Sequence, residues 1–141
     1  MAGEQIIVEA EVSASVTEAW DAYTSPDRII QWNFASDDWH CPAASVDLRE
    51  GGRFSSRMEA KDGGAGFDFA GTYTKLIPNK RIEYEFGGRQ VTVSFKPHGD
   101  YTHVQVTFDA ETEHSVDQQR SGWQAILDNF AKHVSATPAR T

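Results

Sequence analysis

Residues 115–134 read SVDQQRSGWQAILDNFAKHV. Ser115 with Gln118 three positions on is a capping box. Val116, Trp123, Ile126, Leu127, Phe130 and Val134 then recur at the i, i+3, i+4, i+7 spacing of one helix face, over about five turns. Gly122 inside the run costs ~1 kcal/mol relative to Ala, so this helix depends on what it packs against. The segment before it supplies a surface. Between Val46 and Asp109 short alternating runs are separated by turn signals: Phe54, Ser56, Met58; Phe67, Phe69, Gly71, Tyr73; Ile82, Tyr84, Phe86; Val91, Val93, Phe95; and Val104, Val106, Phe108. The pattern predicts an antiparallel meander with one apolar and one wet face. The period slips before Leu76, which predicts a bulge near Thr74 or Lys75. Pro78-Asn79, Gly87-Gly88 and Pro97-His98-Gly99-Asp100 read as turns, the glycine pair as a hairpin.

Toward the N-terminus, Ile6, Val8, Ala10 and Val12 alternate with polar positions and predict a first strand. Ser15 with Glu18 opens a short helix carrying Val16, Ala19, Trp20 and Tyr23. Ser25-Pro26 stops it and starts a second, with Ile29, Ile30 and Trp32. Asn33 to Val46 shows no period and reads as a loop with unusual contents: Phe34, Asp37, Asp38, Trp39, His40 and Cys41. Residues 1–135 thus form one α+β domain, in which a curved antiparallel sheet wraps around a long C-terminal helix and two short helices follow the first strand. Residues 136–141 read as a loose tail.

The composition narrows the function. The 141 residues suit a single core, to which eight Phe, four Trp and four Tyr contribute bulk. A formal net charge of −8 argues against nucleic acid and anionic membrane surfaces, which require clustered Lys and Arg. No window has the length of a spanning helix, so membrane insertion is not expected, and the acidic opening MAGEQIIVEA is unlike a signal peptide. One cysteine, Cys41, allows no internal disulfide, which fits a cytoplasmic location.

Several local words, taken in order, resemble a known group. They are Ala19-Trp20, Thr24-Ser25-Pro26-Asp27 running to Gln31-Trp32, and Asp47-Leu48-Arg49-Glu50-Gly51-Gly52-Arg53-Phe54. Gly71-Thr72-Tyr73 then leads to Ile77-Pro78-Asn79-Lys80-Arg81-Ile82, and Gly122-Trp123-Gln124-Ala125-Ile126-Leu127-Asp128-Asn129 closes the series. Element order and words together resemble the helix-grip, START-like or Bet v 1-like (SRPBCC) superfamily. Within it they are similar to the AHSA-type branch, related to the activator of heat-shock-protein ATPase. The scaffold hosts carriers, receptors, cyclases and chaperone activators, so the resemblance speaks to fold more than to function.

It implies a hydrophobic cavity between sheet and final helix. The alternation gives the same geometry: Trp123, Leu127 and Phe130 as roof, Met58, Phe67, Phe69, Tyr73, Tyr84 and Phe95 as floor, and Trp32, Phe34 and Trp39 at the mouth. Gly71 and Gly122, bare positions on bulky faces, are expected to leave space for a guest; a close helix–sheet contact or a bulge is the alternative at either glycine. The leading expectation is therefore binding of an apolar, aromatic or lipid-like molecule, with no cofactor. A cyclase or aromatase using the same cavity is the alternative, with His40, Asp38 and Tyr84 as candidate proton-handling residues. A third reading is an interaction module acting on a chaperone ATPase. No catalytic signature supports an enzyme. Asp38, His40 and Cys41 lack the second ligand pair of a metal site, and Cys41 has no nucleophile motif around it. Arg120 reads as a snorkelling side chain pairing with Asp117 or Asp128, and His98, His103, His114 and His133 as surface residues.

Overall fold

The computed structural model describes residues 4–136. Residues 137–141, most of the expected tail, lie outside the described residues, as do the first three of the opening segment. The elements are β1 (Gln5–Val12), α1 (Val16–Thr24), α2 (Pro26–Ile29), β2 (Trp39–Val46), β3 (Arg53–Ala60), β4 (Gly66–Ile77), β5 (Arg81–Phe86), β6 (Arg89–His98), β7 (Tyr101–Asp109) and α3 (Val116–Ala136). All seven strands form one antiparallel sheet in the order β1-β7-β6-β5-β4-β3-β2. The chain's first strand thus joins its last, and the meander runs from there to β2. The sheet curls around α3 as a half-barrel, the helix-grip arrangement.

The local chemistry explains each joint. Ser115 Oγ accepts from the Gln118 N–H at 3.1 Å and the Gln118 side chain accepts from the Ser115 N–H at 3.2 Å, closing the capping box of α3. The box of α1 is only half made: Ser15 accepts from the Glu18 N–H, but the Glu18 carboxylate reaches Arg28 at 3.5 Å. The hairpin between β5 and β6 has φ of +56° at Gly87 and +80° at Gly88, as a turn of type I′ demands. The bulge falls where the period slipped, between Tyr73 and Lys75. The turn after β6 is tighter than the sequence indicated, because Pro97 and His98 still pair with Thr102 and Tyr101.

One segment departs from the reading as a loop. Trp39–Val46 is a strand at the sheet's edge, opposite β3. Its register shifts between His40 and Ala43, which erases the two-residue period on which strand recognition rests. Pro42 sits in this irregularity on an edge strand, where its missing N–H is tolerated. Helix α2 ends after a single turn, and Trp32 lies just beyond it, its indole N–H donating to the Ala22 carbonyl at 3.0 Å.

The core is unevenly filled along the sheet. Toward α1, Val93, Phe95 and Val104 pack with Ala19, Ala22, Phe130 and Val134, all buried. The Phe130 ring meets Tyr23 at 5.1 Å and Trp32 at 5.0 Å, both edge-on. At the other end, under the first half of α3, the side chains leave a concavity.

Candidate functional site

The concavity has a volume of about 420 Å³. Its floor comes from the inward rows of β3 (Phe54, Ser56, Met58), β4 (Phe67, Phe69, Tyr73) and β5 (Ile82, Tyr84, Phe86). Trp123, Ile126 and Leu127 of α3 lie over it, and Tyr23, Ile29, Trp32 and Asn33 close the end toward the short helices. The alternation of the strands puts these rings on one side, as the pleat requires. They brace one another: Phe54 lies 4.9 Å from Tyr84 and 5.1 Å from Tyr73, and Phe69 lies 5.0 Å from Phe86. Trp123 is stacked on Phe108 at 4.0 Å with 12° between the planes, which fixes its indole against β7.

Few polar groups face this space. Burial pushes the Tyr84 and Tyr23 phenols well above their ordinary range and the Tyr73 phenol up to about 12, so all three remain neutral hydroxyls at physiological pH. Ser56 is buried on the floor. Arg89 opens the inward row of β6, and its guanidinium lies 4.7 Å over the Phe86 ring. Glu111 is at the rim, where its carboxylate accepts from the His114 N–H and meets His114 Nδ1 at 3.0 Å. Those bonds hold the carboxyl below its usual range and raise the imidazole above its own.

Of the residues expected from sequence, Trp32, Met58, Phe67, Phe69, Tyr73, Tyr84, Trp123 and Leu127 line the concavity. Phe95 and Phe130 do not. Phe95 is packed by Trp20 at 5.5 Å and Tyr23 at 5.8 Å, and Phe130 is fully buried in the filled half. Trp39 lies on Phe67 at 5.9 Å outside the space, and Phe34 is not among the lining residues; its carbonyl accepts from Asn129 Nδ2. His40 faces Glu59 at 3.9 Å on the outer side of the β2–β3 pair, and Asp38 is exposed, with its carbonyl accepting from the Lys61 N–H. Those two are not brought together with Tyr84.

The glycines also differ from expectation. A Cβ at Gly71 would stand 2.5 Å from the Glu85 carbonyl and 2.8 Å from the Phe54 ring, so this glycine allows close packing and frees no volume for a guest. Gly122 has open space beside it, but in a smaller polar annex of about 220 Å³ bordered by Arg89, Glu111, His114, Gln118, Gln119 and Trp123. Arg120 pairs with Asp117 at 3.2 Å, as a snorkelling side chain should. His133 is partly buried, not a surface residue, and accepts from Arg28 Nε at 3.0 Å. Sequence reasoning missed Tyr23, Ile29, Asn33, Val46, Phe54, Ser56, Ile82, Phe86, Arg89, Val106, Glu111 and Ile126 as lining residues. Arg89 was the most findable, because it shares the parity of Val91, Val93 and Phe95.

The family model described as Activator of Hsp90 ATPase homolog 1-like protein matches residues 13–135. Among solved structures, the AHSA1-like protein from Aeromonas hydrophila is similar at 47% identity and a TM-score of 0.89, over 94% of this chain and 93% of that one. The Chr148 protein from Cytophaga hutchinsonii is 42% identical with a TM-score of 0.80, over 93% and 92% of the two chains. Protein CV1439 from Chromobacterium violaceum shares the fold at 22% identity, with a TM-score of 0.81 over 95% of this chain and 99% of that one. Curated proteins give no match. The chain belongs to the Activator of Hsp90 ATPase homolog 1-like family.

Proposed function

We propose that this protein is a binding domain for a small apolar molecule with an aromatic body, held between the sheet and α3. The observation that carries the reading is the unfilled space of about 420 Å³ among aromatic side chains. Protein interiors are normally packed with few voids larger than a water molecule, and ligand sites are concave, mostly apolar and of a few hundred Å³. An apolar guest there would take the lining rings out of contact with water. Ser56, Tyr73, Tyr84 and Asn33 supply the sparse polar groups that orient it. Tyr84 donates a hydrogen bond in this scheme and is no general base, since burial keeps its proton in place.

A small molecule suits the charge balance better than a polyanion does, because Arg89 is the one basic residue among the described residues that line the space. The free, buried Cys41 suits the reducing cytoplasm, and no described helix is long and apolar enough to cross a membrane. Calorimetric titration with the neutral probe naphthylacetamide tests the reading. Saturable binding to the wild type, weakened at least about tenfold in Ile126→Trp with the fold retained, supports it. A wild type that takes up no probe, or an Ile126→Trp variant that binds as well as the wild type, refutes it.

A further inference from the structure

Arg89 occupies an odd position for a cation. It stands on the inward row of β6, next to the Gly87-Gly88 turn, and borders both the aromatic space and the polar annex beside α3. Its Nε donates to the Asp109 carbonyl at 3.0 Å and its plane lies over Phe86, so the guanidinium is held from two sides. Its Nη2, by contrast, is buried with no hydrogen-bond partner among the described residues. The carboxylates nearby are engaged elsewhere. Asp109 accepts from the Gln90 N–H at 2.9 Å and from Gln5 Nε2, and Glu111 is held through both oxygens by His114. Among the described residues Arg89 forms no ion pair with any Asp or Glu.

A buried donor on a charged group that lacks an acceptor is costly, and such groups are normally paired. Here the missing acceptor fits an anion brought by the guest. We propose that the ligand is an aromatic carboxylate, its rings among Phe54, Phe69 and Trp123 and its carboxylate on the guanidinium of Arg89 where the two spaces meet. Arg suits this task because its planar fork matches a carboxylate, and a low local dielectric strengthens the contact. Glu111, at the same junction, is the group an incoming anion must tolerate. Its two oxygens are turned to the His114 backbone N–H and imidazole.

The proposal rests on the cavity-binding reading, and a matched pair of probes separates the two. At neutral pH naphthylacetate and naphthylacetamide share a ring system and differ in charge. The wild type is expected to bind the acid about 10–100-fold more tightly than the amide. In Arg89→Met, which keeps an apolar stem over Phe86, the ratio of the two affinities is expected to fall to about one, because the acid loses its anchor. Arg89→Lys, which keeps charge without the fork, is expected to retain part of the preference. Equal affinity of the wild type for both probes overturns the carboxylate proposal and leaves the cavity reading standing. A preference for the acid that survives in Arg89→Met also overturns it. Binding of neither probe overturns both.

Discussion

Gly71→Ala tests how tightly the floor of the site is built. Gly71 pairs with Phe54 across β3 and β4. An added methyl would meet the Glu85 carbonyl at 2.5 Å and the Phe54 ring at 2.8 Å and 2.9 Å, distances that Cβ atoms do not tolerate. The ring can rotate away, but the carbonyl belongs to β5, which is paired on both sides, by β4 and β6. Overpacking of this kind costs about 2–3 kcal/mol. At this chain length that lowers Tm by about 6–15 °C. Thermal and urea unfolding followed by tryptophan fluorescence reads both quantities. The displaced Phe54 ring would also intrude on the site, so affinity for naphthylacetamide should fall with stability. Gly122→Ala is the control of opposite sign. Beyond its own stretch of helix, no described residue lies within 4 Å of its added methyl, and removing a mid-helix glycine stabilises by about 1 kcal/mol. A Gly71→Ala variant as stable as the wild type, or a Gly122→Ala variant that is less stable, refutes the packing argument.

Phe130→Ala, which removes a fully buried ring from contact with Tyr23 and Trp32, should cost about 3–5 kcal/mol in urea unfolding. The phenols of Tyr23, Tyr73 and Tyr84 have folded-state values raised above the unfolded value near 10. Their contribution to stability is therefore complete below pH about 10 and is lost as pH rises through the folded values; the urea midpoint should fall steadily over that alkaline range. His133 has the opposite sign, since burial and the Arg28 cation hold it below its ordinary value. Its contribution is present above pH about 6.5 and is lost as pH falls through the lower folded value, so His133→Gln should flatten the acid limb of a stability profile. His114, raised by Glu111, acts in the reverse direction and remains in that variant as an internal reference.

Periodicity, punctuated by capping and turn residues, carried the architecture. The stripe from Val116 to Val134 and the alternation from Phe54 to Phe108 depend on the 3.6- and two-residue repeats that helix and pleat impose, and they mark a helix over a sheet. Trp39–Val46 escaped because its bulge breaks that repeat just where Cys41 and Pro42 lie. The site was half legible for a related reason. Parity tells which face a side chain takes, so eight of the expected residues face the space. It does not tell how far along the strand the packing stops. Phe95 and Phe130 share the correct faces but lie at the filled end, where Tyr23 and Trp20 reach them. Gly71 and Gly122 were ambiguous because a missing side chain marks either a close approach or an opening, and only neighbours in space separate the two.

The four tryptophans offer the most direct test of a guest in the aromatic space. Trp32 and Trp123 line it, whereas Trp20 and Trp39 do not. In a nitrogen-correlated NMR titration with naphthylacetamide, the indole N–H signals of Trp32 and Trp123 should move saturably while those of Trp20 and Trp39 stay in place. Unmoved signals from Trp32 and Trp123 at saturating probe, or shifts confined to Trp20 and Trp39, would contradict it.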